Sequence, residues 1–415
     1  MVRLNQVASM ERLIVCEIGL PVGGAFQLDG WAIQRCESAT ELLALLDDEE
    51  VPSPELVVVR TRGDSLSALR LLRKLGERWP DIIRLLLSQD ASARFVVEGS
   101  DLAHASLQAN IPAEKLKMTV ARARRVRDRL NSSVFCDLFE ALGGLSPPPA
   151  QVGVLDSFID DRADERVTQV APSYRGAVAQ LRGVLALLNS PLFGFDKHIF
   201  NINDVVPQVG FRTLRALNLR VHAELAFAEP EGWKGFPFSG LTDRALACGL
   251  LAQRMAQVHG RDRIQQLQAM AAGLFHDLGM RALVMLDPQR YLQVAERAVL
   301  LGRSLTAMEK LEYQVSHSEL AASMLQRWGV SPVVVRAVLY HATPKGAGDA
   351  SFSVLTALHV ADSLLPDPPN RLECRLSGQL CLEYLSQIKQ VGRQADWEMY
   401  SGEYARRLSR CWTGG

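Results

Sequence analysis

Charge of one sign is what this chain most plainly lacks: 46 basic side chains are matched by 46 acidic ones. No global field steers it toward nucleic acid or an anionic membrane, so any such binding has to be local. Paired cysteine motifs are also missing. The seven cysteines (Cys16, Cys36, Cys136, Cys248, Cys374, Cys381, Cys411) are odd in number and include no CxxC. That excludes the usual signatures of a disulfide frame or a zinc knuckle and favours reduced thiols, as in a cytoplasmic protein. Residues 1–10 lack the apolar core of a signal peptide, and no apolar run approaches the ~18 residues a bilayer requires. Neither secretion nor a membrane span is expected.

What is present is ordinary globular material. The 415 residues, 48% apolar and 22% charged, suit two to three domains with full cores. In residues 1–130 the apolar runs Leu13–Cys16, Leu56–Val59 and Ile82–Leu87 alternate with helical spacing at 40–47, Ser65–Gly76 and Ala113–Leu130. Strands alternating with helices predict an α/β domain, its parallel sheet covered on both faces and its site at the carboxyl ends of the strands.

The residues at those ends give the stretch from about 10 to 130 a resemblance to the receiver domain of bacterial response regulators, which implies a flavodoxin-like α/β fold. In that family acidic residues close the first strand and hold magnesium, and here Cys16-Glu17 keeps one acid. The phosphorylated Asp that ends the third strand is replaced by Arg60. Ser88 stands for the hydroxyl residue after the fourth strand, and Ala109 falls where a lysine is expected. A guanidinium cannot accept a phosphoryl group and repels magnesium, so the resemblance implies a receiver that is not phosphorylated. Arg60 is expected either to pair with Glu17, locking one signalling state, or to face water.

Arg122, Arg124, Arg125, Arg127 and Arg129 crowd the end of the helix 113–130. Without interleaved aromatics they read as a solvated connector or a dimer seam, compatible with a homodimer, rather than as a phosphate-binding patch. From Asn131 the strand pattern stops. Amphipathic periods at 134–142, 154–158, 180–188, 205–209 and 212–227 predict an all-α region in two halves, 131–240 and 241–415. The loop 229–240 separates them, and its rings Trp233, Phe236 and Phe238 are either a partner hot spot or folded inward.

Asn189-Ser190-Pro191-Leu192-Phe193-Gly194, followed by a helix leading to Gly210, resembles the first half of HDOD domains. In the second half, His276-Asp277 lies in an apolar helix spanning 265–278, followed by His317, His341, His359 and Asp362. That order resembles the HD superfamily, related to HD-GYP phosphodiesterases, in which a leading His, the His-Asp doublet and a late Asp hold a divalent ion. The resemblance covers roughly residues 131–370 and places Arg244 where the leading His belongs. Met280 stands where an HD-GYP enzyme has lysine. Arg244 is expected to pair with Asp277 or Asp362, making the site structural. His359 and Asp362, three apart, suit joint coordination or a local pair. Helices are expected over 376–390 and 397–412.

Arg60 and Arg244 together predict a non-catalytic signal-transduction adaptor that needs no cofactor and binds a signalling protein, such as a kinase or cyclic-dinucleotide enzyme. The alternative is a metal-dependent phosphohydrolase or cyclic-dinucleotide phosphodiesterase, with His276, Asp277, His317, His341 and Asp362 around a divalent metal.

Overall fold

A computed structural model describes residues 11–20, 28, 30–160 and 164–413. The reading of residues 1–10 falls outside this range. The chain forms two compact units, Met1–Ser132 with Leu325–Val333, and Ser133–Met324 with Val334–Gly415.

In the first unit, β1 (Glu11–Ile18), β2 (Trp31–Cys36), β3 (Leu56–Arg62), β4 (Ile83–Gln89) and β5 (Ala105–Gln108) form one sheet. Its order is β2-β1-β3-β4-β5 and every pairing is parallel. This is the flavodoxin-like order, with its switch point between β1 and β3. The helices are α1 (Ala39–Asp47), α2 (Leu66–Arg78), α3 (Ala93–Ser100) and α4 (Ala113–Leu130). Ile14, Cys16, Val57 and Val59 pack with Ala68, Leu72 and Leu75 of α2. Leu13, Val15, Leu56 and Val58 pack with Leu116, Val120 and Ala123 of α4. Burial on both faces explains why the strands read as continuous apolar runs. Two of the clustered arginines turn back onto the sheet: Arg124 and Arg127 hold Glu55 at 2.8 and 2.6 Å.

The second unit is helical: α5 (Ser133–Ala141), α6 (Ala150–Asp160), α7 (Val178–Leu188), α8 (Ile202–Ala226), α9 (Phe238–Val258), α10 (Arg263–Phe275), α11 (Leu278–Leu286), α12 (Pro288–Leu301), α13 (Leu305–Tyr313), α14 (His317–Arg327), α15 (Pro332–Tyr340), α16 (Val354–Leu364), α17 (Leu382–Gln387) and α18 (Gln394–Thr413). Gly210 splits α8 with φ 78° and ψ 164°, a region essentially reserved for glycine. The crossing of α9 and α10 is a glycine-on-glycine contact. A Cβ on Gly273 would lie 2.4 Å from the Gly249 Cα, and one on Gly249 would lie 2.7 Å from the Met270 carbonyl oxygen.

Two expectations need correction, and one choice between alternatives is decided. An 18-residue window within residues 263–286, across α10 and α11, has mean hydropathy 1.3 and is long and apolar enough to cross a membrane by composition, although no such run was expected. The window is 83% buried within the protein, so core packing accounts for its composition. The helix expected over 376–390 shrinks to α17, because residues 376–381 extend along the site described below. Within α17, Tyr384 and Leu385 are buried while Leu382 is exposed. In the loop 229–240, Phe236 and Phe238 are buried and Trp233 is half-buried, with its indole N–H donated to the Phe236 carbonyl at 2.8 Å. The inward alternative holds there.

Candidate functional site

At the carboxyl end of the sheet the register sets Glu17 directly beside Arg60. Arg60 Nη1 lies 2.7 Å from Glu17 Oε1, and Arg35 of β2, which the sequence reading missed, reaches the same oxygen at 3.0 Å. Glu17 is buried between the two guanidiniums. Ser88 does not join them. Strand alternation turns it with Leu86 toward the α2 face, where its hydroxyl donates to the Leu107 carbonyl at 3.4 Å.

The helical unit gathers the HD-type residues. His276-Asp277 does not lie inside one helix as expected: α10 ends at Phe275 and α11 starts at Leu278, so the doublet occupies the break. Side chains take carbonyls at the end of α10. His276 Nδ1 donates to the Gly273 oxygen and Arg220 Nη1 to the Leu274 oxygen, each at 2.7 Å. Gly279 lets α11 meet the start of α14, since a Cβ there would lie 2.0 Å from the His317 carbonyl oxygen.

Asp362 and Asp277 each belong to an arginine. Arg244 Nη2 is 2.9 Å from Asp362 Oδ1 and donates to the Asp362 backbone carbonyl at 2.7 Å, while its Nε is 3.2 Å from Asp367. Of the two pairings expected for Arg244, Asp362 is therefore the one formed. Asp277 is held instead by Arg220 of α8, Nη1 to Oδ1 at 2.5 Å, and Arg220 Nε also binds Glu224 at 2.7 Å. All four groups of the two pairs are at most 3% exposed. Burial alone would raise both carboxyls. Arg244 instead holds Asp362 well below the usual carboxylate range, and Arg220 lowers Asp277.

The histidines divide into two groups. His276, His317 and His341 converge, with ring centroids 5.4 Å apart for His276 and His341 and 5.9 Å for His317 and His341. In each, Nδ1 is anchored: His276 on the Gly273 carbonyl, His341 on the Val338 carbonyl at 2.7 Å, and His317 on Glu309 at 2.7 Å. Carbonyls only accept, so His276 and His341 carry a proton on Nδ1. His276 Nε2 then accepts from Arg244 Nη1 at 3.1 Å, with Asp362 farther away at 3.4 Å. Burial drives His341 down to about 3, so it is neutral at pH 7. Burial also opposes charge on His317, but Glu309 outweighs it and raises the ring above its ordinary value. Glu309 is fully buried and accepts from Tyr291 as well, at 2.5 Å. His359 stands apart and does not share a ligand position with Asp362. Its Nδ1 donates to the His341 carbonyl at 2.7 Å, and its Nε2 accepts from the Cys381 amide at 2.9 Å.

Whether these residues suit the divalent ion of an HD-type centre follows from their lone pairs. Asp362 Oδ1 faces Arg244, and its Oδ2 accepts from the Gly378 amide at 2.9 Å. Asp277 faces Arg220, and His276 Nε2 faces Arg244. Among the described residues no three His, Cys, Asp or Glu side chains are disposed to hold a metal ion. The arrangement as it stands does not fit one. Arg220 and Glu309 carry much of this chemistry and were missed. The available signal was a charge at 220 flanked by Leu217, Leu219 and Val221 in a helix buried nearly all round.

Residues 181–344 match the HDOD domain family, and the chain contains such a domain. The chain is 23% identical over 311 residues to an uncharacterised protein of Treponema pallidum (strain Nichols), a match covering 74% of this chain and 53% of that one. It thus spans about half the length of that relative. A Marinobacter aquaeolei VT8 structure, provisionally named a signal transduction protein, superposes with TM-score 0.50 at 17% identity, covering 82% of this chain and 81% of that one. An HDOD domain protein of unknown function from Geobacter sulfurreducens gives TM-score 0.49 at 19% identity, covering 69% and 94%. At 17% identity the likeness to the Marinobacter structure concerns fold.

Proposed function

We propose that this chain is a non-catalytic signal-transduction adaptor whose HDOD-containing unit binds a protein partner, and whose receiver-like unit is not phosphorylated. The observation that carries the reading is that Asp277 and Asp362, the two carboxylates an HD-type hydrolase uses on its metal, are each bound to a buried guanidinium. Holding an activated water would require breaking both pairs, each at a cost of several kcal/mol. In the first unit, Arg60 at the phosphoacceptor position forms an ion pair with Glu17, which supports a receiver locked without phosphate. The flavodoxin-like strand order accords with receiver ancestry. The seven free cysteines accord with a reducing cytoplasmic location. A kinase or a cyclic-dinucleotide enzyme is the class of partner the family resemblance suggests, and no cofactor is required.

The test joins two assays on purified full-length protein. Incubation with a small phosphodonor and magnesium is expected to leave no stoichiometric phosphate, and phosphodiester substrates with divalent metals are expected to show no turnover. Metal-dependent hydrolysis abolished by Asp277→Ala would establish the phosphohydrolase alternative and remove the adaptor reading. Stoichiometric labelling would remove the claim for the receiver-like unit alone.

A further inference from the structure

The disagreement between the site's residues and a metal centre has a definite form: three imidazoles converge with Nδ1 anchored, while both carboxylates are occupied by guanidiniums. Ligating histidines characteristically donate their other ring N–H to a carbonyl or carboxylate, which fixes the tautomer and aims the lone pair. His276, His317 and His341 each have Nδ1 anchored in that way, on Gly273, Glu309 and Val338. Against the two buried carboxylates stand two buried guanidiniums, Arg220 from α8 and Arg244 from α9. Their two charges match that of one divalent cation, and each guanidinium also meets a second acid, Glu224 for Arg220 and Asp367 for Arg244. The second oxygen of Asp362 is occupied by a main-chain donor, the amide of Gly378, at 2.9 Å.

We propose that Arg220, Arg244 and the Gly378 amide together replace a divalent cation, leaving a latent centre for a borderline transition-metal ion that the loss of one guanidinium opens. Resting on the adaptor reading, this inference assigns Arg220 a role no local motif marks: it is the second half of the replaced charge. Arg244 is the critical group, because it meets a carboxylate and an imidazole of the centre at once, Asp362 at 2.9 Å and His276 at 3.1 Å. Exchanging it for histidine adds a ligand and frees both. With imidazole and carboxylate donors the site suits cobalt, nickel, iron or zinc better than magnesium or calcium.

Cobalt(II) is the probe, because its visible absorption separates nitrogen and oxygen ligation from binding by the free cysteines. Full-length wild type and Arg244→His are titrated by equilibrium dialysis and absorption, and melted with and without EDTA. The variant is expected to take up stoichiometric cobalt without a thiolate charge-transfer band, at least about tenfold more tightly than wild type. Its melting temperature is expected to rise with cobalt and fall with chelator, while wild type responds to neither. If Arg244→His does not fold, Arg244→Gln, which removes the charge and keeps an oxygen donor, has to show the same uptake. Failure of both variants to bind overturns the proposal. So does stoichiometric cobalt in wild type that is lost in Asp362→Asn. Uptake is read without turnover, so either result leaves the adaptor reading standing, whereas hydrolysis by wild type removes that reading whatever the variants bind.

Discussion

Replacing Arg244 by methionine removes five donated or ionic contacts, to Asp362 twice, Asp367, Pro366 and His276, while keeping most of the side-chain volume. Asp362 would then be a carboxylate 2% exposed with no guanidinium beside it, only the His276 ring at 3.4 Å and the Gly378 amide. Breaking a buried pair by deleting one partner costs about 3–5 kcal/mol. At about 2–4 °C per kcal/mol for a large domain, thermal melting at pH 7 should show a drop of roughly 6–20 °C. The pH dependence identifies the cause. In wild type the depressed carboxyl contributes stability that is present above its unfolded value, about 3.9, and is lost as pH falls through the folded value. Without Arg244, burial works to raise that carboxyl instead, so acidification from pH 7 to 5 protonates it and narrows the gap between variant and wild type. Asp362→Asn in the Arg244→Met background should recover part of the loss. A single variant within about 1 kcal/mol of wild type, well short of the buried-pair cost, or a gap that widens on acidification, refutes the account of Arg244 as the counter-ion of the site.

Three further outcomes are expected. Gly279→Ala sets a methyl against the His317 carbonyl oxygen, with its Cβ at 2.0 Å, and should lower stability by about 1–3 kcal/mol in denaturant melts; an unchanged midpoint removes the close approach of α11 and α14. Gly210→Ala, forced into φ 78° and ψ 164°, should cost about 1–3 kcal/mol, and a neutral result means that α8 is not broken there. His317 is raised in the folded state, so its contribution is complete below pH ~6.5 and declines as pH rises through the folded value. His317→Gln should therefore flatten the alkaline side of the melting profile, which leaves the Glu309 pairing unsupported if the slope is unchanged.

Elements whose cause is local were legible. β1, β3 and β4 announce themselves as apolar runs bounded by breakers, and Gly210 marks the division of α8. The position of Arg244 could be read because it falls in register with a motif. Arg220 could not, because its partner lies 57 residues away and nothing near it in sequence names Asp277. The break at His276-Asp277 was hidden for a related reason. Apolar composition runs through it, while the groups that take the carbonyls there include a guanidinium from another helix. Arg35 was obscured by the sheet itself, since only strand register brings β2 beside Glu17. Residues 376–381 carry helical spacing, yet their amides bind Asp362 and His359 instead, a tertiary preference that outweighs propensity.

The contact between Gly249 and Gly273 bears on how this chemistry could be altered. Side chains elsewhere in a core accommodate a substitution by changing rotamer, and neighbouring helices drift by fractions of an ångström. Where main chain rests on main chain there is no such play. Arg244 lies five residues before one of these glycines and His276 three residues after the other, so the span between them is gauged by a joint with no adjustable part. Side chains at 244 can thus be exchanged as tools in a fixed chuck, and differences among such variants report the chemistry of the group itself rather than a shifted frame.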